Sequence, residues 1–253
     1  MVEEVIERAV NRVIESMHEN LGEQITIDDM ARTAMFSKFH FSRIFQRATG
    51  VSPGRFLSAI RLQEAKRLLV STALSVTEIS HQVGYASVGT FSSRFRTSVG
   101  VSPTTYRRLG GFTNRICPDA RSRITPRRSA TIQGNVRSSV GMQPGAVFLG
   151  LFPDRLPQGQ PVRCAVLDQP GAYTLEDVPQ GIWYLLAYAG EIESDDDLAF
   201  VPAPRGSALV GSVGPITIRP ETFIRPADVR LRRMNAFDPP VLLALMDEQQ
   251  SVS

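Results

Sequence analysis

Apolar positions in the first 109 residues recur at helical spacing, and the recurrence itself repeats. Residues 27–56 and 76–106 align as two copies of one unit. At an offset of 49, Ile27 meets Val76, Met30 meets Ile79, Ala34 meets Val83 and Phe36 meets Tyr85. One extra residue near Ser87 raises the offset to 50. Phe41 then meets Phe91, Phe45 meets Phe95, and Gly50-Val51-Ser52-Pro53 meets Gly100-Val101-Ser102-Pro103. Such internal similarity is read before anything else, because it governs the fold assignment.

Each copy predicts helix, tight turn, helix. Thr26 with Asp29, and Ser75 with Glu78, have the spacing of capping boxes. Ile27, Met30 and Ala34 fall on one face of a short helix, as do Val76, Ile79 and Val83. Ser37 and Ser87 are the expected caps of the second helices. Phe41, Phe45 and Ala48 are expected to face inward, with Phe91, Phe95 and Val99 nearly equivalent. Gly50 and Gly100 stop these helices, and each following Ser-Pro opens another, since proline is tolerated at the first helical position. Two short helices about a tight turn, with a polar outer face on the second, form a helix-turn-helix.

From Ala130 onward the period changes from helical to two. Candidate strands are 131–137, 146–152, 162–167, 173–178, 182–188, 207–213 with 216–219, and 229–233. Turn residues such as Gln169-Pro170-Gly171 and Pro179-Gln180-Gly181 separate them. The pattern predicts a multidomain α and β chain: an all-α double helix-turn-helix domain followed by an all-β antiparallel sandwich. The expected organisation is a DNA-binding domain over 1–109, a basic Gly/Pro/Arg linker over 110–129, and a β-sandwich over 130–253.

Charge sharpens this division. Residues 1–128 hold 19 Lys plus Arg against 11 Asp plus Glu, a net of +8; residues 129–253 hold 9 against 14, a net of −5. A basic half ahead of an acidic half fits a polyanion-binding module joined to a domain with another partner. At 42% hydrophobic and 21% charged, the chain is expected to be a soluble protein rather than a disordered or membrane one. Nothing reaches the ~18 apolar residues of a membrane span, and the acidic start Met1-Val2-Glu3-Glu4 argues for a cytoplasmic location. Cys117 and Cys164, the only cysteines, lack C-x-x-C spacing, so neither a disulfide framework nor a cysteine zinc site is expected.

The block Val83-Gly84-Tyr85-Ala86-Ser87, then Phe91-Ser92, Arg94-Phe95-Arg96, Gly100-Val101-Ser102-Pro103 and Tyr106-Arg107 resembles the signature of AraC/XylS-family transcription regulators. The resemblance covers roughly residues 3–109. It implies two helix-turn-helix units on a linker helix from Pro53 to about Val70, reading successive major grooves of double-stranded DNA. By the same resemblance, Phe39, Ser42 and Arg43 stand where base-contacting side chains stand in copy one. Their counterparts in copy two are Val88, Gly89, Ser92 and Ser93, a plainer set. Arginine pairs with guanine O6/N7, and an aromatic edge packs on a thymine methyl, so the copy-one residues suit base reading. Ser37, Lys38, Arg47, Arg96, Arg107 and Arg108 are expected on phosphates, which set register without reading sequence.

The run Gly171–Leu185 resembles the central hairpin of carboxypeptidase-regulatory-like, or transthyretin-like, β-sandwiches. That resemblance speaks to fold and leaves activity open. All three histidines lie in the first half. Cys164 therefore lacks a nearby histidine base, is expected to be a small packed residue, and gives no support to an alkyl-transfer enzyme. The acidic run Glu191, Glu193 and Asp195–Asp197 is expected to be a solvated loop. Of Trp183 and Tyr184, at least one is expected in the core. No catalytic residue, metal or cofactor is expected.

The reading that follows is a sequence-specific DNA-binding regulator modulated by its β-domain, through a small-molecule effector, a protein partner or RNA polymerase. The alternative is an adaptor with weak DNA affinity whose β-domain recruits a partner that supplies specificity.

Overall fold

Both capping boxes form. Thr26 Oγ1 accepts from the Asp29 amide while the Asp29 carboxylate accepts from the Thr26 amide, and Ser75 with Glu78 repeat the arrangement. In each pair two otherwise unpaired helix-terminal donors are satisfied, which fixes where the first helix of each copy begins.

The computed structural model describes residues 2–111, 129–139, 144–191, 208–219 and 225–244. It divides into two compact units, Met1–Gly111 with Asn235–Leu242, and Phe112–Met234 with Leu243–Ser253. The segment Asn235–Leu242 groups with the first unit.

The helices of the first unit are α1 (Val2–Glu19), α2 (Ile27–Ala34), α3 (Lys38–Thr49), α4 (Pro53–Ser71), α5 (Val76–Gln82), α6 (Val88–Val99) and α7 (Pro103–Arg108). The repeat begins only at residue 27, so it carries no information on α1. Its own stripe of Val10, Val13, Ile14 and Met17, all buried, is the signal that marks it.

The duplication extends to single hydrogen bonds. Met35 and Phe36 donate to the carbonyls of Arg32 and Ala31; Gly84 and Tyr85 donate to those of His81 and Ser80. Gly50 donates to Gln46 and Gly100 to Arg96. Ring contacts repeat as well. Phe41, Phe45 and Phe56 form a chain with centroids 5.5 and 5.4 Å apart; Phe91, Phe95 and Tyr106 form its counterpart at 5.6 and 5.5 Å. These tilted and edge-on pairs give each copy its own aromatic core. One inward position differs from expectation: Ala48 is exposed, and Ile44 and Thr49 close that face of α3 instead.

The second unit holds β1 (Ser129–Ser138), β2 (Pro144–Phe152), β3 (Arg163–Leu167), β4 (Ala172–Pro179), β5 (Gly181–Glu191), β6 (Ala208–Ile218) and β7 (Val229–Arg233). They form one sheet in the order β3-β2-β5-β6-β7-β1-β4. The pairings are antiparallel except β1 with β7, which run parallel. Its end strands approach each other, with Arg163 Nε donating to the Glu176 carbonyl at 3.1 Å. The sheet thus curls nearly closed around Ile132, Val136, Leu149, Leu185, Leu209 and Val229. Strand β2 departs from simple alternation, with Phe148 and Phe152 buried as well as Leu149 and Leu151. Gly150 lies between those two phenylalanines, and a Cβ there would strike both rings.

Trp183 packs against the core and its indole donates to the Pro179 carbonyl at 2.9 Å, while Tyr184 lies under Arg155. Cys164 is disulfide-bonded, which replaces the expectation of a free packed thiol. Cys117 lies outside the described residues, as do the linker from Phe112 to Arg128 and the acidic run beyond Glu191.

Candidate nucleic-acid interface

Helix α3 separates its residues sharply. Phe41 and Phe45 are fully buried and Ile44 nearly so, whereas Phe39, two residues from Phe41, is 83% exposed. A step of two residues turns a helix by about 200°, so adjacent phenylalanines of one composition face opposite environments. Arg43 and Arg47 share the outward side with Phe39, and Ser42 is half-buried with its hydroxyl donating to the Lys38 carbonyl at 2.9 Å. The outward side of α3 therefore carries one large apolar ring between cations, and nothing within the helical unit covers it. Ser37 occupies the N-cap of α3 without a side-chain bond to the helix, leaving its hydroxyl available at the helix N-terminus. Lys38 is paired with Asp28 at 2.8 Å, a partially exposed contact of small energetic weight that a phosphate can displace.

In copy two, Val88, Gly89 and Ser93 are exposed and Ser92 is half-buried. Ser87 caps α6 by accepting from the Thr90 amide. Arg94 and Arg96 are exposed on α6, and Arg108 is exposed on α7. Arg107 has another task. Its Nε donates to the Leu69 carbonyl at 2.9 Å and its Nη2 to the Leu74 carbonyl, so the guanidinium binds α7 to the end of α4. This structural role competes with the phosphate role expected of Arg107; sequence alone does not distinguish the adjacent arginines, because only packing turns one inward.

The turns between paired helices also differ. Met35 adopts a left-handed conformation, with φ 61°, and its side chain is 80% exposed. The equivalent residue in copy two is Gly84, φ 82°. A Cβ on Gly84 would overlap the Leu21 carbonyl and fall 2.8 Å from the Arg61 guanidinium carbon. The same turn thus tolerates methionine where it is open and requires glycine where other backbone approaches.

Two further titratable groups of the helical unit are buried. Lys66 on α4 is fully enclosed, donates to the Val241 carbonyl at 3.2 Å and lies 6.0 Å from the Tyr106 ring centroid. Burial lowers its ammonium from the ordinary 10.5 to about 7 and pushes the Tyr106 phenol up. Sequence reasoning missed Lys66, although its position on the apolar side of a helical stripe, between Ala65 and Leu69, was the available signal. Among the described residues no cluster of His, Cys, Asp or Glu is arranged to hold a metal, and no helix is long and apolar enough to cross a membrane.

Residues 30–109 match a protein-family model described as a helix-turn-helix domain. The helical unit therefore carries a helix-turn-helix domain, and the relatives it matches are named as transcription regulators. The lactose operon transcription activator of Staphylococcus xylosus is 27% identical over 112 residues, 44% of this chain and 40% of its own length. The transcriptional activator AarP of Providencia stuartii is 29% identical over 98 residues, 39% of this chain and 73% of its own. An uncharacterised helix-turn-helix regulator of Haemophilus influenzae is 43% identical over 82 residues, 32% of this chain and 28% of its own. The chain thus spans less than half the length of two of these three relatives. Among solved structures, an AraC-type regulator from Chromobacterium violaceum is 26% identical, covering 41% of this chain and 93% of that one, with a TM-score of 0.40. The DNA-binding domain of the global transcriptional factor AdpA, in complex with target DNA, is 32% identical, covering 40% and 90%, with a TM-score of 0.39.

Proposed function

We propose that the chain is a sequence-specific DNA-binding transcription regulator that reads two adjacent major-groove segments with α3 and α6. One observation carries this reading: α3 buries Phe41, Ile44 and Phe45 and leaves Phe39 uncovered beside Arg43. A ring with that exposure contributes little to the fold, and its neighbours are the chemistry that base edges accept. In this reading Arg43 pairs with guanine O6/N7, Phe39 packs on a thymine methyl, and Ser42 supports the pair. Ser37, Lys38, Arg47, Arg96 and Arg108 hold phosphates. Helix α4, 19 residues, gives a span of about 28 Å, near the ~34 Å between successive grooves on one DNA face.

Residues 1–109 are then the reading module, 110–129 a basic linker along the backbone, and the β-domain the modulating part. Its resemblance to transthyretin-like sandwiches fits a domain that takes a small-molecule effector or a protein partner, with RNA polymerase as the downstream contact. The relatives' regulatory roles support a non-enzymatic, cofactor-free and cytoplasmic protein.

A second reading, an adaptor with weak DNA affinity, draws on one observation. The outward side chains at Val88, Gly89, Ser92 and Ser93 supply only two short hydroxyls for hydrogen bonding. Site selection from a random duplex pool at ~150 mM salt, which suppresses nonspecific phosphate binding, separates the two. Enrichment of two boxes about one turn apart supports direct reading by both units. A single short box, or no enrichment, refutes it and favours the adaptor.

A further inference from the structure

Between the two helix-turn-helix copies stands a contact set built on one side chain. Arg61 lies midway along α4 and is half-buried. Its Nε donates to the Leu21 carbonyl at 3.0 Å and its Nη2 to the Glu23 carbonyl at 2.5 Å. Both acceptors belong to the loop that leads into copy one. The same guanidinium packs against Gly84, the left-handed turn residue of copy two, where a Cβ would lie 2.8 Å from its carbon and would overlap the Leu21 carbonyl. Two further contacts join the same three elements. A Cβ on Gly22 would stand 3.1 Å from the Gln82 carbonyl at the end of α5. Ser58 of α4 and Tyr85 of the copy-two turn place their hydroxyls 3.3 Å apart.

We propose that Arg61 is a positioning residue for DNA recognition: it locks the copy-one entry loop to the copy-two turn across α4, and so sets the spacing and phase of the two recognition helices. The inference rests on the two-groove reading given above. Its physical basis is that α4 by itself joins the copies through a helix end at each side, where a few degrees of freedom remain. A guanidinium fork holding two carbonyls of one copy while filling the glycine concavity of the other removes that freedom. A rigid pair of heads binds two boxes as one ligand, whereas a loose pair gains less from the second box. The Met35–Gly84 difference follows from the same arrangement. The copy-one turn touches no such brace and keeps its methionine.

The test compares wild-type protein with Arg61→Met, which keeps the apolar stem and removes the donors, and Arg61→Lys, which keeps the charge but not the fork. Binding is measured by fluorescence anisotropy on the selected two-box duplex, on versions with one or two base pairs added to or removed from the spacer, and on single-box duplexes. Arg61→Met is expected to lose about tenfold in two-box affinity while single-box affinity stays within about twofold. Its spacer preference flattens, and Arg61→Lys falls between. Hydrogen exchange on the DNA-free proteins supplies the second readout, with residues 20–25 and 82–86 losing protection together while α3 and α6 keep theirs. A sharp spacer optimum in folded Arg61→Met, equal losses on single-box and two-box DNA, or unchanged exchange in both segments overturns the proposal. If Arg61→Met does not fold, the same criteria apply to Arg61→Lys. Failure of wild-type protein to select two boxes overturns the two-groove reading instead, and coupled exchange in the free protein still reports whether the brace exists.

Discussion

Phe39 and Phe41 offer the most direct test of the interface, because they differ in little except direction. Phe39 is 83% exposed, so less than a fifth of its ring area is removed from water in the free protein. Full burial of a phenylalanine side chain is worth about 1.5–3 kcal/mol, so Phe39→Ala should change stability by no more than about 0.5 kcal/mol. Phe41 is fully buried and meets Phe45 at 5.5 Å, and Phe41→Ala should cost about 3–5 kcal/mol through lost transfer energy and the cavity left behind. Covering half of the exposed Phe39 ring on DNA supplies about 0.6–1.2 kcal/mol, roughly a threefold to eightfold change in affinity. Urea unfolding measures the first quantity and anisotropy with the selected duplex at ~150 mM salt the second. Replacing thymine by uracil at the contacted position removes the methyl group alone. Wild type should lose affinity on uracil and Phe39→Ala should lose no more. The reasoning is refuted if Phe39→Ala destabilises the fold by more than about 2 kcal/mol, or if it binds the selected site as tightly as wild type.

Four other outcomes are expected. Arg43→Ala should cost about 1–3 kcal/mol of binding and relax preference at one base pair, read by repeating site selection with the variant. Arg108→Ala should lower the slope of log affinity against log salt by about 1, whereas Arg107→Ala should leave that slope unchanged and lower the urea midpoint. Met35→Gly should raise stability by up to about 1 kcal/mol, since the exposed left-handed position penalises a Cβ, and thermal unfolding measures it. For Lys66, the unfolded chain keeps its proton up to about 10.5 while the folded chain releases it at about 7. The unfolded state therefore binds more protons between these values, and stability should rise with pH by up to about 1.4 kcal/mol per unit across that window. Urea midpoints at pH 7, 8 and 9 test this, and Lys66→Met should flatten the rise; a flat wild-type profile contradicts it.

Most helix boundaries of the first unit were legible from residue spacing alone. The capping boxes, the glycine stops and the Ser-Pro starts are interactions between residues within a few positions, so their spacing carries the whole of their physics. Helix α4, expected from Pro53 to about Val70, runs Pro53–Ser71 for that reason. The strand at 229–233 likewise matches its alternation. The outward set on α3 was legible too, because a helical period assigns Phe39 and Phe41 to opposite sides once one of them is known to be core.

Choices between chemically equal residues, and contacts between distant ones, were settled by packing. Nothing local separates Arg107 from Arg108, yet the carbonyls of Leu69 and Leu74 draw the first inward. Ala48 lost its expected inward place because Ile44 and Thr49 already fill that face. Strand periodicity gave the number of the β segments, but not that β1 would lie parallel to β7, a pairing across 90 residues or more of chain. The brace through Arg61 belongs to the same class, since its partners Leu21, Glu23 and Gly84 come from both copies. Long-range packing of this kind depends on how whole elements meet, and no spacing along the chain records it.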